Sequence, residues 1–208
     1  MGNLSNSSSS YANHKSKFNT YNIVLMAMFT AILCVSAYIS ITLPNGSHIT
    51  FLNFICTLIC LIFSPIEGIL ILLIWMMLGT IGVPVFVAGN AGISYLIGPY
   101  GGYYLAFLIT AIISPLLLKL FGKIFKLFNN SGARAQLWAR INYTIVAVIS
   151  VIVVDIVGMF WWKWQAGLTL KVAFVSGFLA FIVLDIVKAV VAAEIAPFVG
   201  ALKKRYRG

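Results

Sequence analysis

The side chains of this chain that could do chemistry are few, and most of them interrupt long apolar stretches. Asp185 and Lys188 stand three residues apart, so on a helix they share a face and can pair. Asp155 and Glu194 are further acids in apolar surroundings. A charge at the centre of a membrane helix costs roughly 2.5–3.5 kcal/mol on insertion scales, and intramembrane ionisable residues default to functional roles. Two readings of the Asp185 and Lys188 pair follow. Either it is a self-neutralised ion pair that only stabilises a bundle, or it lines a cavity where the lysine receives an anionic ligand group and Asp185 accepts from an N–H. Asp155 either faces that cavity or bonds a neighbouring helix. Glu194 falls near the cytoplasmic interface.

Other reactive types point away from chemistry. Cys56 and Cys60 are one helical turn apart, but no histidine stands beside them, and with Cys34 they read as small apolar fillers rather than metal ligands. His14 and His48 are not placed for a shared site. The chain carries no Walker loop, HExxH or GxSxG, so it is not expected to be an enzyme, and ATP-driven work would need a separate ATPase.

The elements that must position these groups follow from composition. Hydrophobic residues make up 62% of 208 positions and charged residues 9%, too little polarity to cover a soluble surface. A bilayer span needs roughly 20 apolar residues, and the supply fits about six. The expected architecture is an all-α membrane protein of six transmembrane helices. Residues 1–18 form a disordered cytoplasmic tail, 19–202 the membrane domain, and 203–208 a basic cytoplasmic tail. Eleven of the fourteen basic residues cluster in the N-tail, between spans four and five, and at the C-terminus, which are all on one side for six spans. The positive-inside rule makes that side cytoplasmic, hence N-in and C-in. The net charge of +10 therefore serves orientation in the lipid bilayer, and no nucleic acid partner is expected.

Span one is predicted over residues 21–43, ending in the turn cluster Pro44, Asn45, Gly46 and Ser47. Spans two and three reach Phe63 and Ile81, with a tight turn at Ser64, Pro65 and Ile66. Spans four and five are predicted over 103–121 and 141–160, the latter emerging at an interfacial belt of Trp161, Trp162, Lys163 and Trp164. Residues 168–202 would make one helix of about 52 Å, longer than a bilayer, so a break is expected at Gly177. Residues 82–102 hold six glycines and two prolines, are uncharged, and cannot be ordinary helix. Non-helical backbone at membrane depth must pack on protein or line a cavity, so this external loop between helices three and four reads as a lid or binding loop, or as a connector packed across the bundle top.

The residues 82–86 (Gly-Val-Pro-Val-Phe), Gly89, Gly92 and 98–103 (Gly-Pro-Tyr-Gly-Gly-Tyr) resemble the Gly-Leu-Pro-Val-Phe and Gly-Pro-Thr-Gly-Gly-Tyr blocks of the BioY family, the biotin-specific S components of energy-coupling-factor (ECF) transporters. The likeness extends to Ser36 through Ile41 with Pro44, and to Asp185 and Lys188 with Phe181 ahead of them. It implies biotin as ligand, no cofactor, and a complex with a transmembrane coupling subunit and two cytosolic ATPases. It also implies ligand contacts at Asn90, Asp185 and Lys188, with Thr50, Tyr95 and Tyr100 completing the candidate set. Ala27 and Ala31, four apart, match the family's Ala-x-x-x-Ala contact to the coupling subunit.

The departures bear on the ligand. Residues 49–52 read Ile-Thr-Phe-Leu where the family tends to Val-Thr-Leu-Gln, so an amide contact is expected to be missing at Leu52. Tyr100 replaces Thr and Ala180 replaces Pro. Lipoate, a carboxylate with no ureido group to recognise, is therefore the alternative ligand, and a structural or assembly subunit is the alternative of another class.

Overall fold

A computed structural model describes residues 20–42, 48–127 and 132–206. The expected N-terminal tail, the turn cluster 44–47 and several of the basic positions lie outside these residues. The elements are α1 (Thr20–Ser36), the strands β1 (Ser40–Thr42) and β2 (His48–Thr50), α2 (Leu52–Ile62), α3 (Pro65–Thr80), α4 (Ile93–Ile97), α5 (Gly101–Leu127), α6 (Gly132–Ala166), α7 (Leu170–Ala173) and α8 (Ala180–Tyr206). Among the described residues three apolar helices are long enough to cross a membrane: 101–125, 135–166 and 170–203. Thr20–Ser36, Leu52–Ile62 and Pro65–Thr80 are shorter apolar helices.

The first helix corrects the expected span. It ends at Ser36 rather than near Leu43, and the chain turns into an antiparallel hairpin pairing Ser40 with Thr50, Ile41 with Ile49 and Thr42 with His48. The alternating segments Ser-Ile-Thr and His-Ile-Thr carry β-branched residues that suit a pleated ribbon better than a helix. The fold is thus helical with a small two-stranded cap. Period two puts His48 and Thr50 on one face of it.

The second correction concerns Gly177. No loop breaks the chain there; α7 passes into α8 through a π turn over Phe174–Leu179. The wider turn absorbs the irregularity that a break would otherwise relieve, and such turns often mark functional sites. Gly177 is required by its neighbour, since an added Cβ would stand 2.9 Å from the ring of Trp162. The true reversal before α7 is at Gly167, whose φ of +63° is left-handed.

Packing follows small residues and interhelical hydrogen bonds. Ala189, Ala192, Ala193 and Ala196 are fully buried along α8 and let it approach α2 and α6 closely. Ser114 on α5 and Ser150 on α6 share a hydrogen bond of 2.7 Å, and the Asn142 amide donates to the Leu118 carbonyl at 3.0 Å. The α2 to α3 turn is sharp because Pro65 occupies the first helical turn and the Glu67 carboxylate accepts from the Ser64 N–H at 3.0 Å. Lys203, buried near the end of α8, donates to the same carboxylate and lies 4.2 Å from the centre of the Phe63 ring.

Candidate functional site

The loop over residues 82–102 folds down into the bundle. Val85, Phe86 and Val87 are buried, and Phe86 is wholly enclosed. Its ring sits where a side chain on Gly79 would be, with the ideal Cβ only 2.2 Å from the ring, so this glycine makes the seat. Trp75 crosses Phe86 edge to face at 5.5 Å and donates its indole N–H to the Val85 carbonyl at 2.9 Å. Further backbone groups of the loop find partners too: the Ala88 N–H donates to the Ala37 carbonyl and the Gly92 N–H to the Gly79 carbonyl. Irregular backbone survives here because it is satisfied by protein.

Beneath the loop lies a cavity of about 220 Å³, compact beside the roughly 300–1,000 Å³ of drug-sized ligand pockets. The hairpin contributes His48 and Thr50, α2 contributes Leu52 and Asn53, and the loop contributes Val87, Pro99 and Tyr100. Its remaining wall comes from Tyr103, Tyr104 and Phe107 of α5, Asp155 and Trp162 of α6, and Phe181 and Asp185 of α8. The surface is mostly aromatic and aliphatic with a few convergent polar groups, the usual make-up of a small-molecule site.

Asp185, Lys188, Asn53 and the Thr50 carbonyl form one connected array. Asp185 is buried, with Lys188 donating to Oδ1 at 2.8 Å and the Asn53 amide donating to Oδ2 at 2.9 Å. Lys188 also donates to the Thr50 carbonyl at 2.8 Å, which ties α8 to the hairpin. Helical spacing brings Lys188 to Asp185, and its ammonium is engaged by Asp185 and the Thr50 carbonyl. Asp155 is also buried, and neither of its carboxylate oxygens accepts a hydrogen bond from the described residues.

Of the residues expected at the site, Thr50, Tyr100 and Asp185 line the cavity. Tyr95 and Asn90 lie in the loop above. Tyr95 stacks on Tyr100 at 5.4 Å and on Phe86 at 6.0 Å. Burial pushes its phenol up to about 12, so it remains a neutral donor. Asn90 is exposed, and its amide folds back to donate to the Val87 carbonyl at 2.8 Å. Ala27 and Ala31 are remote from the cavity, exposed along an apolar groove between α1 and α3.

The tryptophans at the end of α6 have different surroundings. Trp161 donates to the Gly98 carbonyl at 2.9 Å and Trp162 lines the cavity, so Trp164, 72% exposed, is the one free to meet an interface. Helix α6 accordingly continues to Ala166 rather than stopping at Phe160.

Comparison with known proteins bears on this arrangement. The model of the BioY family matches residues 11–206, nearly the whole chain. The chain belongs to the BioY family. Among BioY relatives, a probable biotin transporter of Pyrococcus horikoshii is 33% identical over 84% of this chain and 93% of its own. Another from Rickettsia prowazekii is 29% identical over 90% of this chain and 88% of its own. The crystal structure of the S-component for biotin from an ECF-type ABC transporter aligns with a TM-score of 0.68 and 26% identity, covering 89% of this chain and 92% of that one.

Leu52 lines the cavity and brings no amide there. Asn53, one residue on, also lines the cavity, and its amide holds Asp185. A lone amide in an otherwise apolar helix was a signal for it. For His48, Tyr103 and Trp162 there was no comparable signal, because they reach the cavity from elements whose mutual placement is tertiary. Tyr103 shows how tight that placement is: its hydroxyl donates to the Gly177 carbonyl within the π turn at 3.0 Å, and its ring fills the space beside Gly158, 2.2 Å from an ideal Cβ there. Gly158→Ala should therefore push Tyr103 into the cavity, costing about 1–3 kcal/mol in overpacking. Ligand affinity should fall by about a decade, read by titration beside thermal unfolding. Wild-type affinity in this variant would mean that the ring yields elsewhere.

Proposed function

We propose that the chain is the biotin-binding S component of an ECF-type importer in a bacterial plasma membrane, a transport subunit and not an enzyme. One observation carries this: in a BioY chain similar along most of its length to the S-component for biotin, a compact cavity under an apolar loop joins a buried carboxylate, an amide and aromatic walls. A cyclic urea offers N–H donors and a carbonyl acceptor, and such an array complements it. Asp185 and Asn53 take the polar ring, with Thr50 and Tyr100 beside it. Lys188 fixes Asp185, and Asn90 and Tyr95 hold the loop closed.

Six crossings with both termini cytoplasmic fit the charges. Lys119, Lys123 and Arg140 flank the α5 to α6 connection, and Arg140 reaches Glu194 of α8 at 3.7 Å. A basic end of this kind faces the cytoplasm. The partners are then the transmembrane coupling subunit and two cytosolic ATPases, with no cofactor and no nucleic acid. Mass spectrometry of ligand co-purified with the solubilised protein tests the reading, followed by titration with biotin and lipoate. Biotin binding tightly and lipoate weakly is the expected result; the reverse order would replace the ligand.

The coupling subunit should dock on the α1 face carrying Ala27 and Ala31, which is exposed and lined by small and aliphatic groups. Close helix approach requires small residues, so Ala27→Trp or Ala31→Trp should abolish co-purification with that subunit while ligand affinity stays unchanged. Continued co-purification of both variants would exclude this face.

A further inference from the structure

The cavity holds two carboxylates, and their surroundings differ. Asp185 accepts from Lys188 on one oxygen and from Asn53 on the other. Asp155, 1% exposed on α6, lines the same cavity, and both its oxygens lack a hydrogen bond from any described residue. Burying an acceptor pair without donors is costly, and a membrane helix has no stability reason to keep one. The described donors go to Asp185, and Asp155 on the same cavity wall is left without one.

We propose that Asp155 is a second ligand-contacting carboxylate that accepts a ring N–H, and that it makes the site selective for ligands carrying such a donor. This rests on the reading of the ligand as biotin, whose cyclic urea has two N–H groups. A dithiolane ring of the lipoate kind has none and would leave Asp155 buried and unpaired. A site that loses a matched hydrogen bond discriminates strongly, because its own polar group is then stranded. Asp155 thus rejects the donor-less ring, whereas Asp185 keeps its bonds from Lys188 and Asn53 whichever ring is bound.

The test uses the full chain in detergent. Asp155→Leu removes both acceptors and should weaken biotin binding by about tenfold or more. Asp155→Asn keeps one acceptor and should lose less. The melting temperature of ligand-free protein should be unchanged or higher in both variants, because an apolar or neutral group replaces an unpaired buried acid. A structural acid would do the opposite, lowering melting temperature and affinity together in both variants, and that result overturns the proposal. So does a Leu variant that binds biotin as wild type does. Biotin failing to bind the wild-type chain would bring down the ligand reading and this assignment with it, and is distinguishable because it appears before any substitution.

Discussion

Lys188→Met should destabilise the ligand-free protein by about 3–5 kcal/mol, the usual consequence of removing one partner from a buried ion pair. The substitution strips Asp185 of its cation, leaves Asn53 as its one donor and frees the Thr50 carbonyl that anchored the hairpin. Adding Asp185→Asn should return most of the loss, because a neutral amide tolerates the site that a lone carboxylate does not. Unfolding of the two single variants and the double variant in detergent measures the coupling. Additive losses would mean that the pair is not energetically linked. Biotin affinity should also fall in Lys188→Met, and biotin and its amide should fall together, because the lysine's ammonium is engaged by Asp185 and the Thr50 carbonyl. A larger loss for the acid would instead put the ammonium in direct contact with the ligand's carboxylate.

Trp75→Ala should cost about 3–5 kcal/mol, the range for deleting a large buried aromatic. Trp75 is fully enclosed, crosses Phe86 and Tyr104 edge to face at 5.5 and 5.3 Å, and supplies the donor for the Val85 carbonyl. Its removal undermines the loop from below, so segment 82–102 should become a protease target and ligand affinity should fall with it. Trp75→Phe keeps most of the packing and loses the hydrogen bond, so about 1 kcal/mol is expected. Limited proteolysis beside thermal unfolding reads both effects. A protected loop in Trp75→Ala would show that Phe86 and the backbone bonds suffice to hold it.

The two experiments probe linked halves of one construction. The hairpin and α8 are joined through Lys188, and the loop is joined to α3 through Trp75; the cavity lies between them. A ligand bridging the halves would stabilise both by mass action, so each variant's melting temperature should respond to added biotin in proportion to the affinity it retains.

Much about this protein is determined by sequence alone, and the reason is locality. Membrane character follows from the apolar content, and a non-helical segment at 82–102 follows from Gly and Pro. The meeting of Asp185 with Lys188 follows from helical spacing, since residues three apart on a helix are neighbours whatever surrounds it. The shortening of α1 was legible in principle too, in the alternating β-branched residues either side of the turn cluster, but apolar content masked it. What only the tertiary structure decided are the encounters between segments far apart in the chain. Asn53 meets Asp185, the Thr50 carbonyl meets Lys188, and Glu67 meets Lys203 across separations of more than a hundred residues. No periodicity encodes such pairs; they depend on which helices pack together and at what height. The same holds for the π turn at Gly177, where the Trp162 ring packs and the Tyr103 hydroxyl donates to the Gly177 carbonyl, and for Asp155. Its residue type announced a role, but only the packing of the helices put it on the cavity wall without a hydrogen-bond donor among the described residues.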